Sequence, residues 1–204
     1  NTSSASISAG SNIVTLKPNT ANTPSNLGGA DVIGASPTLG LTDAELDRIT
    51  AGTLRVGDSS SGAITISTDI SPASVTTLSL TSGSTVTGTA GGVVVNSLAI
   101  TAAGAASVTD GTTDVTNVAI SAPGFSVDFN DANGLTVTSV DGVDGISAND
   151  LDVNVSGNLT IANTAATNDI TTTQSLNLNV TANDAVLTTA AGAHLRVTSS
   201  STIK

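Results

Sequence analysis

The sequence predicts an all-β chain wound as a parallel β-helix (a β-solenoid), with one short helix near its N-terminal end. Three observations carry this. Val, Ile and Thr are abundant while charged residues make up 10% and aromatics 1% of the chain, a composition that suits pleated, half-buried strands. Apolar residues recur in pairs separated by one polar residue, the alternation of strands with one buried face. These pairs return about every 20 residues, and a repeat of that length cannot bury its apolar side without stacking on its neighbours.

Residues 1–40 are rich in Ser, Thr, Asn, Gly and Pro and read as an N-terminal extension with short strands at Ile13–Leu16 and Asp31–Ile33. The stretch between Pro18 and Pro24 reads as loop. Residues 41–52 read as a short capping helix. Thr42 and Glu45 have capping-box spacing, Leu41 and Leu46 hold the two positions of a hydrophobic staple, and Asp43 suits the positive end of the helix dipole. Gly52 is the expected stop. Two turns do not stand alone in water, so Leu41, Leu46 and Ile49 should dock on something apolar, such as a solenoid end.

Residues 53–204 read as the solenoid proper. The pairs are Leu54/Val56, Ile64/Ile66, Leu78/Leu80, Leu98/Ile100, Val118/Ile120, Leu135/Val137, Leu159/Ile161, Leu176/Leu178 and Leu195/Val197. From Leu78 to Leu195 the leading members are separated by 20, 20, 17, 24, 17 and 19 residues. Weaker strands at Val93–Val95, Phe125–Phe129 and Leu151–Val155 lie between them. Asp110-Gly111, Asn133-Gly134, Asp141-Gly142, Asp144-Gly145 and Ser156-Gly157 supply turns. Seven or eight coils stacked at about 4.8 Å would give a rod roughly 35–40 Å long. A β-sandwich is the structural rival, since it too has short strands with frequent turns. The persistent period and an aliphatic interior almost free of aromatics argue for the solenoid.

The formal charge is −11, and no Lys or Arg lies between Arg55 and Arg196 while 12 Asp do. Such a surface repels phosphate backbones, which argues against nucleic acid and anionic membranes as partners. The chain has no Cys, so a disulfide scaffold is excluded. No apolar run approaches membrane-spanning length, and no signal-peptide pattern opens the sequence, so a secreted parent would be represented by a mature product or an internal piece.

The segment Leu41-Thr42-Asp43-Ala44-Glu45-Leu46-Asp47-Arg48-Ile49-Thr50-Ala51-Gly52-Thr53-Leu54-Arg55-Val56-Gly57-Asp58, with Gly62-Ala63-Ile64-Thr65-Ile66 after it, resembles a recurring segment of large bacterial repeat exoproteins of the filamentous-haemagglutinin-like and autotransporter-like kind. The resemblance covers residues 41–66, and beyond it the likeness is one of texture only. It implies a right-handed parallel β-helix, outside the cell or on the bacterial cell surface, serving adhesion, biofilm or scaffolding. Proteins of this kind are usually far longer than 204 residues. They offer no catalytic residues to carry over.

No catalytic, cofactor-binding or metal residue is assigned. Asp128, Asp131, Asp141, Asp144, Asp150 and Asp152 are the one acidic cluster, and a polysaccharide-acting β-helix enzyme would need such carboxylates beside a base or a metal. No basic residue is near them in sequence, so turn-forming, solubilising roles fit better. Calcium is the one ion to weigh as a cofactor, at Asp141-Gly142-Val143-Asp144-Gly145 and Asn149-Asp150-Leu151-Asp152, although neither matches a calcium-repeat or EF-hand loop. His194, the single histidine, should lie on the surface opposite Leu195 and Val197. Zinc and cysteine chemistry lack their ligands.

Thr85/Thr87, Thr136/Thr138 and Thr171/Thr173 have the local pattern of an ice-ordering face, without repeating in register. Asn154, Asn158, Asn163, Asn168, Asn177, Asn179 and Asn183 crowd the last third, where stacked coils could link them into ladders. The expected function is therefore a non-enzymatic structural or adhesive rod. The expected partners are the continuing coils of a longer chain, further copies stacked end to end by strand addition into an extracellular filament, or a host or matrix surface.

Overall fold

The structure is a computed structural model that describes residues 5–164, 169–182, 185–197 and 200–203. The chain runs through β1 (Ile7–Ser8), β2 (Ile13–Leu16), β3 (Ser25–Leu27), β4 (Leu39–Leu41), α1 (Asp43–Leu46), β5 (Ile49–Asp58) and β6 (Ile64–Ile66). It continues with β7 (Val75–Ser82), β8 (Val86–Gly88), β9 (Val94–Ala102), β10 (Ala106–Val108), β11 (Asp114–Ser121), β12 (Val127–Asp131) and β13 (Leu135–Val137). Then come β14 (Ser139–Val140), β15 (Val143–Asp144), β16 (Ile146–Val155), β17 (Leu159–Ile161), β18 (Ile170–Val180), β19 (Leu187–Thr189), β20 (Leu195–Val197) and β21 (Ser200–Ile203). Strands hold 55% of the residues and helix 2%.

Each coil lays a strand parallel on the one before it, which makes the chain a β-solenoid. One ladder stacks Val14, Leu54, Leu78, Leu98, Val118, Val137 and Ile161. Two residues on, the same face stacks Leu16, Val56, Leu80, Ile100, Ile120, Ile146, Ile170 and Leu195. The facing wall stacks Ile64, Val86, Ala106, Val127, Leu151 and Leu176. Nearly all of these side chains are buried in one continuous aliphatic cluster, because strand alternation turns every second residue inward. Phe129 is fully buried while Phe125 is half exposed. The sandwich is ruled out: among the described residues, antiparallel pairing is confined to β14–β15 and the bridge between Val32 and Thr38.

The structure corrects the sequence reading at four places. The helix spans Asp43–Leu46 only. Its capping box forms, with the Thr42 N–H donating to Glu45 Oε2 at 3.0 Å, and Leu46 is fully buried. Ile49–Gly52, expected as its second turn, opens β5 instead, because Ile49 and Thr50 pair with Ile7 and Ser8. Sheet pairing outweighs a short helix that has few hydrogen bonds of its own. Gly52 terminates nothing: a Cβ there would lie 2.2 Å from the Ser11 carbonyl oxygen, so glycine is required for close approach between coils.

Secondly, strands within residues 1–40 join the stack. β2 appears as expected and pairs with β5, while β3 lies between β4 and β6. Asp31–Ile33 contributes no strand, only the bridge at Val32.

Thirdly, the coils, which make about six turns, do not keep a uniform 20-residue period. The step varies between coils: Leu78 stacks on Leu98 and Ile100 on Ile120, whereas the longer steps join Leu54 to Leu78, Ile120 to Ile146 and Ile170 to Leu195.

Finally, the last apolar pairs belong to different walls. Leu176/Leu178 stack on Leu151/Val153 rather than on Leu159/Ile161, and Leu195 stacks on Ile170. The regular sequence spacing there averaged two ladders.

Leu98 lies between Leu78 and Val118 with no exposure. Leu98→Ala should therefore cost about 2–5 kcal/mol, the usual range for a cavity that neighbours cannot fill. Leu195→Ala, in a side chain only partly buried, should cost well under half as much. Urea unfolding followed by far-ultraviolet circular dichroism measures both.

Candidate functional site

Outside the core, every second residue of each strand faces solvent, and the parallel register aligns these residues into columns along the stack. One column reads Thr53, Thr77, Ser97, Asn117, Thr136, Thr160, Thr188. Thr136 thus belongs to a column that carries hydroxyls except at Asn117. The column beside it reads Arg55, Ser79, Ala99, Ala119, so no flat two-column threonine face forms.

On the other wall Asn130, Asn154 and Asn179 stack in register. Asn154 Nδ2 donates to Asn130 Oδ1 at 3.1 Å, and Asn179 Nδ2 donates to Asn154 Oδ1 at 3.0 Å. This is the asparagine ladder that the sequence suggested, extended by Asn130. Asn158 and Asn163 serve loops instead, and Asn168 and Asn183 lie outside the described residues.

The six aspartates grouped by sequence separate into three environments. Asp128 and Asp152 are direct partners on adjacent coils, with Asp150 on the same strand as Asp152. Burial, followed by the nearby Asp152 and Asp150 charges, pushes the Asp128 carboxyl above its ordinary value. Asp131 is 3% exposed, and its carboxylate accepts the N–H groups of Val115 at 2.9 Å and Asn133 at 3.0 Å. Burial raises its pKa despite these bonds.

Asp141 and Asp144 stand on the β14–β15 hairpin. Asp144 accepts the Ser139 hydroxyl. Asp141 forms a two-pronged pair with Arg55, at 2.9 Å to Nε and 2.7 Å to Nη2, and the guanidinium holds its carboxyl below the ordinary range. The basic partner missing from the local sequence arrives from 86 residues away.

Aspartates outside this group act alike. Asp43 accepts the Ser71 N–H at 2.7 Å, Asp47 that of Ala73 at 2.9 Å, and Asp69 that of Gly92 at 2.8 Å. Asp169 has no exposed surface and accepts the N–H groups of Thr164 at 2.6 Å and His194 at 2.7 Å. Burial works to raise its pKa, but these hydrogen bonds outweigh it and leave the carboxyl below its ordinary value. Carboxylates thus supply acceptors where the chain turns out of its ladder and a backbone N–H lacks a carbonyl partner. Of these carboxylates only Asp131 was among the aspartates expected to serve as solubilising turn residues. Their span across coils had no local signal.

Open concavities are also present among the described residues. A polar groove of about 390 Å³ beside the hairpin is lined by Thr15, Arg55, Asp58, Ser79, Thr101 and Asp141 among others. Asp58 there is held well below the ordinary range by Lys17, 2.6 Å away, and by Ser60 and Ser61. At the N-terminal mouth of the core, a cleft of about 310 Å³ is walled by Leu16, Leu39, Leu41 and Ile49, with Glu45 and Arg48 at its edge. Among the described residues no group of three or more His, Cys, Asp or Glu side chains is arranged to hold a metal ion. Within the segments weighed for calcium, Asp141 is committed to Arg55, and Asp150 and Asp152 lie along a strand rather than in a turn. His194 is exposed, and its backbone, not its ring, is bonded to Asp169. No helix among the described residues is long and apolar enough to cross a membrane.

The class that this geometry defines is a parallel β-solenoid with hydrogen-bonded polar columns. Comparisons of the chain with family models, curated proteins and solved structures found no match.

Two substitutions test the carboxylates with opposite signs. A raised native pKa makes the Asp128 charge cost stability above that pKa. Asp128→Asn should therefore raise stability at pH 7 by about 0.5 kcal/mol, the scale of a like-charge cross-strand pair, and the gain should vanish as the pH falls below the carboxylate range. A lowered native pKa makes the Asp169 charge stabilising above the unfolded value and progressively lost in acid. Asp169→Ala should cost about 2 kcal/mol or more at pH 7 by leaving two N–H groups without acceptors, and the deficit should shrink as the pH falls through the native pKa. Urea midpoints taken from pH 7 down to pH 3, near the unperturbed carboxylate value of about 4, read both.

Proposed function

We propose that this chain is a non-enzymatic structural or adhesive rod, a β-solenoid segment of a secreted bacterial cell-surface protein of the filamentous-haemagglutinin-like and autotransporter-like kind. The observation that supports it is the unbroken parallel ladder from Val14 through Leu98 to Ile161. A stack of this sort sets length and stiffness and presents long columns of side chains. The resemblance over residues 41–66 points the same way. The acidic, cysteine-free composition fits an extracellular site and argues against nucleic acid or membrane insertion as the mode of action.

Strand edges support a second reading, the filament subunit. Among the described residues β1 and β2 pair only with β5, β4 pairs only with β3, and β19 pairs only with β17. Ile7 and Ile13 on the first of these edges are 46% and 49% exposed. An uncovered edge takes another strand, either from the next coil of a longer chain or from a second copy joined head to tail. The polysaccharide-enzyme reading draws less support: Asp128, Asp150 and Asp152 share one patch, while Asp131, Asp141 and Asp144 are engaged with other partners.

Sedimentation and negative-stain microscopy over a concentration series separate the first two readings. A rod segment stays a discrete particle at all concentrations, whereas a filament subunit lengthens into fibres. A compact, non-elongated particle would sink both. Cleavage of an acidic polysaccharide by the pure chain with calcium present would overturn the non-enzymatic part.

A further inference from the structure

The hairpin β14–β15 interrupts the coil in a particular way. Val118 pairs with Val137 and Ile120 pairs with Ile146. Residues 138–145 therefore stand where the preceding coil has Ala119 alone. The extra chain is closed at its base, where the Gly145 N–H donates to the Thr138 carbonyl at 3.1 Å. Its tip, Asp141-Gly142, has φ of 48° and 81°, the left-handed pair that a tight two-residue hairpin turn needs.

The hairpin does not project into solvent. It lies back along the outer wall towards the earlier coils. Val140 is 6% exposed and packs with Val143 on Ala99 and Ala119, both fully buried beneath it. These two alanines occupy outward positions, between the inward-facing Leu98/Ile100 and Val118/Ile120, and they form an apolar cluster separate from the core. Beyond them the Asp141 carboxylate forms the two-pronged pair with Arg55, and Ser79 lines the same groove. Ala119, Ala99, Ser79 and Arg55 are successive members of one column, on β11, β9, β7 and β5. One hairpin thus reaches across four neighbouring strands.

In a solenoid each coil normally contacts only the coils on either side, so stability is a sum of nearest-neighbour terms and opening can proceed coil by coil. A tie that runs from the coil of β13 and β16 back to β5 crosses four coil interfaces and breaks that rule. We propose that residues 138–145 form an axial clasp that binds β5, β7, β9 and β11 into one cooperative block, so that this stretch of the rod opens as a unit rather than by fraying. The inference concerns the rod's internal mechanics and holds whether or not the chain is adhesive.

Amide hydrogen exchange, read by mass spectrometry on the full chain, tests it. Asp141→Ala removes the clasp's tip without altering a residue of β5 or β7. It should accelerate exchange in β5 and β7 by about threefold, the scale of one well-formed surface ion pair, and leave β18 unchanged. Arg55→Ala should do the same, and the double variant should add nothing further. Replacing residues 138–145 by a single Ala, as in the preceding coil, should enlarge the effect and extend it to β9. Unchanged exchange in β5 and β7, or equal acceleration in every strand, would overturn the clasp. Should the replacement not fold, the two point substitutions and their double variant decide it alone.

Discussion

Everything in this molecule rests on the parallel register, which sets like on like from one coil to the next. Leu54, Leu78, Leu98 and Val118 are bonded neighbours through their backbones, so each aliphatic side chain is covered from above and below by another of similar shape. Each coil is too thin to shield its own apolar face, and only stacking removes that face from water. The resulting interior is narrow enough for Val, Ile, Leu and Ala to fill, and a single Phe129 is the largest side chain it contains. Large aromatics, which fill the centres of compact globules, have no place of that size here.

The same register that builds the core orders the surface, and it does so without regard to charge. Asn130, Asn154 and Asn179 gain a hydrogen-bonded ladder from it, while Asp128 and Asp152 are brought together as like charges. Most other described aspartates are used differently. Asp43, Asp47, Asp69, Asp131 and Asp169 accept backbone N–H groups where the chain bends out of its strands. A carboxylate is well suited to this, because it offers several acceptor sites and makes stronger hydrogen bonds than a neutral group. The net charge of −11 is thus in large part a by-product of turning corners.

The excursion at residues 138–145 shows how a repeat can acquire a feature that its period does not contain. The insertion enters between two ladder positions and leaves both intact, Val137 below Val118 and Ile146 below Ile120. The fold tolerates the added length because a loop at a strand junction disturbs no inward side chain. Its outward alanines then give the returned hairpin somewhere apolar to lie.

The alternation and recurrence of Leu-x-Ile and its relatives, read without coordinates, determined the solenoid, its aliphatic core and the strands at Leu54, Leu78, Leu98 and Val118, because burial of every second residue is a local pattern that stacking then repeats. The capping box at Thr42 and Glu45 was legible for the same reason, since its partners are three residues apart. What joins residues far apart in the chain was decided by the tertiary structure. The conversion of Ile49–Gly52 to strand required β1 and β2 alongside it. The assignment of Leu176 and Leu195 to different walls required the insertions to be placed. The meeting of Arg55 with Asp141 required several coils to be stacked in register. Each of these depends on which coil lies over which, and a sequence records the order of the coils along the chain but not the offset at which each one settles on the last.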